Sequence, residues 1–73
     1  MSLFQNIDNF VKSTQVIKEA KAAFTGAVDA PTKENIINGA ETLVNELLAG
    51  EPFLVEVATI IFNKWKASIA VPA

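Results

Sequence analysis

The side chains able to do acid–base, nucleophilic or metal chemistry are few: eight Asp and Glu, six Lys and three Ser in 73 residues. There is no Cys, His, Tyr or Arg. That inventory removes thiol nucleophiles, disulfides, imidazole catalysis, the usual zinc ligands and guanidinium clamps. Carboxylate chemistry is what remains. Glu34 with Glu41, and Glu41 with Asn45 or Glu46, are spaced to share one helix. Paired carboxylates act as acid and base only when burial or mutual repulsion raises one of them, and these fall on the polar side of their segment, where water solvates them. Glu34, Asn38 and Glu41 could bring oxygens to one surface, but no His and no loop of alternating acids accompanies them. The chain therefore reads as non-enzymatic, with no catalytic, cofactor-binding or metal-binding residue expected.

The serines carry no more chemistry than the acids. Ser13 and Ser68 follow Lys12 and Ala67, and Ser2 follows Met1, with no base to activate any of them. The length, acidity and helical pattern invite comparison with acyl carrier proteins, whose phosphopantetheine serine is preceded by aspartate at a helix start; no Asp-Ser pair exists here. Gly26, Gly39 and Gly50 are too dispersed to form a phosphate loop. The net charge of −2 offers no basic field for nucleic acid.

No secretory signal is expected, because the first cation is Lys12 and no cleavage pattern follows. Phe53 to Phe62 is the most apolar stretch, yet it contains Glu56 and is soon followed by Lys64 and Lys66, whereas a membrane span needs about 20 apolar residues. No transmembrane span is expected. The cytoplasm, or a place within an assembled particle, is the expected location.

An apolar fraction of 51% with 19% charged indicates a folded domain. Its length suits a single one, residues 1–73. Pro and Gly punctuate the chain at 26–31 and 50–52, which predicts an all-α fold: a small, mostly antiparallel three-helix bundle with helices over about 3–25, 32–49 and 53–69. Ser2 and Gln5 have capping-box spacing at the first start. Leu3, Phe10, Ile17 and Phe24 recur every seven residues. Ile36, Ile37, Ala40, Leu43, Val44, Leu47 and Leu48 keep the i, i+3, i+4 pattern of one helix face. Gly39 within it reads as a close approach opposite Ile17 and Ala20, and Gly50 as a left-handed C-terminal cap.

The third segment is rich in strand formers, but its length and the polar stripe Glu56, Thr59, Asn63 and Lys66 favour helix. Its apolar arc of about 240° exceeds what a surface helix needs. Lys18, Lys21, Lys64 and Lys66 near helix ends, with Glu34, Glu51 and Glu56 near helix starts, suit the macrodipoles. The expected core is Ile17, Ile36, Ala40, Leu43, Leu47, Val57, Ile60 and Ile61.

Two features point outward. The first helix is longer than the others, so its start projects Leu3, Phe4 and Ile7 beside Phe53 and Leu54. Lys64-Trp65-Lys66 closes the most apolar helix, a combination found at membrane interfaces. Leu3, Phe4, Ile7, Phe53, Leu54 and Trp65 are the candidate interface. The leading expectation is association with a protein partner or with further copies of the chain, as a self-associating subunit or a minor component of a larger assembly. A membrane-surface or pore-forming helical protein is the second expectation. An inhibitor or immunity-type module, using Glu34, Glu41 and Glu46 against a basic partner, is the third.

Overall fold

The computed structural model describes the backbone of residues 3–70 and the side chains of residues 7–69. Three helices follow one another, α1 (Leu3–Gly26), α2 (Ala30–Leu47) and α3 (Pro52–Ala70), with no strand among the described residues. The all-α reading and the two breaks stand. The Ser2 cap lies outside the described residues. α2 begins slightly earlier than its pattern suggests, because Asp29 holds an extended cap conformation and Pro31 is accommodated within the first helical turn, where a missing N–H costs nothing. No side chain caps that start; the Asp29 carbonyl accepts from the Lys33 N–H at 3.2 Å.

The end of α2 departs from expectation. Its last helical residue is Leu47, and no described glycine has a positive φ, so Gly50 is not a left-handed cap. Short-range bonds turn the chain instead: Ala49 N–H to the Glu46 carbonyl at 3.4 Å and Glu51 N–H to the Leu48 carbonyl at 2.8 Å. Of the macrodipole argument only Glu51 remains, directly before Pro52 with its carbonyl accepting from the Val55 N–H at 3.0 Å. No helix has an acid in its first turn or a base in its last, and the effect fades within one turn.

α2 is the centre of the molecule, packed extensively against both α1 and α3, whereas among the described residues α1 and α3 meet mainly through side chains. α1 and α3 run parallel, since Phe24 meets Trp65 at one end and Phe10 flanks the same groove as Leu54 and Val57 at the other. The core is Ala20, Ile37, Ala40, Val44, Leu48, Ala58 and Phe62. Each helix contributes a buried alanine, and small side chains there let the axes draw together.

The expected core differs in rotation. Ala40 is buried, and Ile17, Ile36, Leu47 and Ile61 are half-buried, but Leu43, Val57 and Ile60 are exposed. On α2 the core lies along Ile37, Ala40, Val44 and Leu48, at one edge of the apolar arc, and Leu43 sits about 120° round from Ile37 at the other edge. Gly39 is about 200° from Ile37. It is exposed, and a Cβ there would meet nothing within 4 Å, so it is not a close-approach site.

Candidate association surface

α3 explains why so much apolar surface is left open. Its inward line is Leu54, Ala58, Phe62 and Trp65, the middle two buried and the outer two half-buried, and it is rotated toward the helix's own polar stripe rather than centred on its apolar arc. Contacts with α2 and α1 hold it there. Lys66 Nζ donates to Glu41 Oε1 of α2 at 2.6 Å, with both side chains partly buried. Trp65 stacks on Phe24 of α1 at 5.9 Å between centroids and meets Phe62 edge-on at 5.3 Å. Lys33 completes that end, its Nζ 5.3 Å from the Phe24 centroid. The far side of the arc is left uncovered: Phe53, Val57 and Ile60, at spacings of four and three, form an exposed apolar strip along α3.

α1 leaves its own strip open for a different reason. A straight helix drifts about 20° per seven residues against a strict heptad, so the line through Phe24, Ile17 and Phe10 rotates away from the core toward the N-terminus. Phe24 and Ile17 pack on the core, while Phe10 is 47% exposed. α1 is also the longest helix, about 36 Å for its 24 residues at 1.5 Å each, against 18 and 19 residues for the other two. Ile7 and Val11 on its N-terminal half are exposed as well.

Between these strips runs a groove of about 170 Å³, lined by Phe10, Ser13, Thr14 and Ile17 of α1, Leu48, and Leu54, Val57, Ala58 and Ile61 of α3. Its floor is Ser13, Leu48 and Ala58, all buried. Ser13 is the one buried polar residue among those described, and its hydroxyl donates to the Phe10 carbonyl at 2.7 Å. Thr14 Oγ1 donates to the same carbonyl at 2.9 Å. No buried side-chain nitrogen or oxygen among the described residues lacks a partner, so nothing in the groove awaits a polar ligand. No charged residue lines it. Its complement is an apolar group.

The candidate interface residues separate in space. Ile7 and Phe53 are exposed, Phe53 the more so at 71%. Leu54 is half-buried and lines the groove. Trp65 lies at the opposite end of α3, half-buried in the aromatic cluster. The side chains of Leu3 and Phe4 lie outside the described residues. Sequence reasoning missed Phe10, Val57 and Ile60 as surface residues. One signal was available for α3: Lys64 continues the line of Phe53, Val57 and Ile60 at i+4 from Ile60, marking that edge as solvent-facing.

The acids do not assemble. Glu41 is taken up by Lys66, while Glu34 and Asn38 are exposed. Glu46 lies about 140° round α2 from Glu41, so the three glutamates share no single face. No group of three Asp or Glu among the described residues is placed to hold a metal ion. No helix among them is long and apolar enough to cross a membrane. Compared with protein-family models, curated proteins and solved structures, the chain matches none.

Proposed function

We propose that this chain works by protein–protein association, as a subunit of a self-associating or larger assembly, with the face between α1 and α3 as its contact surface. One observation carries this reading: Ile7 and Phe10 on α1 and Phe53, Val57 and Ile60 on α3 are each between 41 and 71% exposed, and Phe10 and Val57 line the groove between the two helices. Taking about 150–250 Å² for a whole aromatic side chain and somewhat less for Ile and Val, these exposures amount to roughly 550 Å². That reaches the upper range of the largest apolar patch on a typical monomer, on a molecule of only 5029 Å². The core beneath it is small, with three of its seven members alanine. Covering the face supplies the apolar burial that a chain of this size lacks. A cytoplasmic or particle-bound setting fits such a role.

A membrane-surface role has one observation in its favour, the exposed Lys64 beside the Phe53, Val57 and Ile60 strip. Insertion through Trp65 would first have to unstack it from Phe24. Because the chain has no cysteine, single-cysteine variants report which surface is covered. Ile60→Cys on the apolar face and Glu46→Cys on the exposed side of α2 are labelled in producing cells with a permeant maleimide. Association predicts that Ile60→Cys reacts at least tenfold more slowly than Glu46→Cys. Equal rates would contradict it, and protection reproduced on the purified chain by anionic vesicles alone would favour the membrane.

A further inference from the structure

We infer that the occupant of this face is a second copy of the chain, docked about a twofold axis so that Phe53 of each copy enters the α1/α3 groove of the other. The inference rests on the association reading and adds the partner's identity and the register. A twofold contact requires a surface that complements itself. This one carries a knob and a hole side by side. Phe53 is the most exposed aromatic among the described residues, and one turn along α3 Val57 forms the groove's rim.

The sizes match: an apolar cavity of about 150 Å³ accepts a benzene ring, and this groove measures about 170 Å³. Its lining is apolar apart from the Ser13 and Thr14 hydroxyls, both bonded to the Phe10 carbonyl, so a phenyl ring leaves no polar group stranded. The area is sufficient as well. Two faces of roughly 550 Å², when wholly covered, bury at most about 1,100 Å² together, which reaches the roughly 1,000 Å² needed for a specific contact. Lys64 lies beyond Ile60 along the strip, about one turn away, so a two-fold axis near Val57 keeps the two lysines apart.

The test is association measured by sedimentation equilibrium from micromolar to millimolar concentration. It compares the parent chain with Phe53→Ser, which removes the knob, and Thr14→Phe, which fills the groove from its exposed rim. Both positions are exposed, and far-ultraviolet circular dichroism verifies that each variant remains helical. The parent should dimerise, and each variant alone should do so about a hundredfold more weakly, as two anchors of at least tenfold each are lost.

An equimolar mixture should regain heterodimer, because the intact knob of Thr14→Phe fits the intact groove of Phe53→Ser and one of the two anchors returns. A variant that fails to stay helical is replaced by Phe53→Ala or Thr14→Leu in the same mixing design. A monomeric parent throughout, a Phe53 variant that dimerises as tightly as the parent, or a mixture no tighter than its components would each overturn the inference. If the parent is monomeric while Ile60→Cys remains protected in cells, association stands and only the second-copy assignment fails.

Discussion

Gly39→Ala should stabilise the protein, and the magnitude follows from where this glycine sits. It lies in the interior of α2, nine residues after Ala30 and eight before Leu47, so it bears the full helical cost of glycine. Its φ is not positive, its surroundings are solvent, and an added Cβ meets nothing within 4 Å. Alanine therefore gains about 0.8–1 kcal/mol of helix propensity with no steric charge against it and little added burial. For a chain of this size 1 kcal/mol moves the midpoint by about 4–8 °C, so a rise of about 3–8 °C is expected. Thermal unfolding followed at 222 nm measures it. Gly26, with equally open space, is the last residue of α1 and should gain less from the same change. An unchanged or lowered midpoint for Gly39→Ala would mean that another backbone closes on this side of α2, which would refute both the packing and the placement of the contact surface on the α1/α3 side.

Three further outcomes follow from the packing. Ile37→Ala, at a fully buried site, should cost about 2–5 kcal/mol in urea unfolding, whereas Leu43→Ala on the same helix, 44% exposed, should cost under about 1; equal costs would show α2 to be rotated differently. The Glu41–Lys66 pair should give a coupling of about 0.5–1 kcal/mol in a double-mutant cycle with Glu41→Gln and Lys66→Met, declining with added salt, and no coupling would remove it as a determinant of how α3 is turned. Trp65 is the single tryptophan, so Phe24→Ala should shift its emission to longer wavelength and raise its quenching by acrylamide, while an unaltered spectrum would contradict the stack.

The helices were legible because their punctuation is chemical. Proline and glycine fall at both breaks, and α2 keeps its apolar period through Asn38-Gly39. Rotation was harder to read. Where seven apolar residues span an arc of about 140°, periodicity locates the arc but not which edge meets the neighbours, and Ile37, Val44 and Leu48 won over Leu43. On α3 the arc is wider still, and the decision came from residues on other helices: Glu41 for Lys66, and Phe24 for Trp65. No local pattern contains those pairings. Gly50 misled because glycine after a helix suggests a left-handed turn, and this chain turns with successive short-range bonds instead. Of the surface, Ile7 and Phe53 were readable from the excess length of α1. Phe10 was hidden by a heptad that continues in sequence after it has rotated out of the core.

The concentration dependence of the melting temperature tests most directly whether a second copy covers the α1/α3 face. If the covered face supplies part of the folding free energy, a hundredfold rise in concentration adds about 2.7 kcal/mol per dimer by mass action, about 1.4 per chain, and raises the midpoint by about 5–11 °C. The variant carrying both Phe53→Ser and Ile60→Ser, which should lose this dependence, melts near the dilute parent at every concentration. A parent midpoint constant to within a degree across that range, or a double variant as concentration-dependent as the parent, would contradict the account.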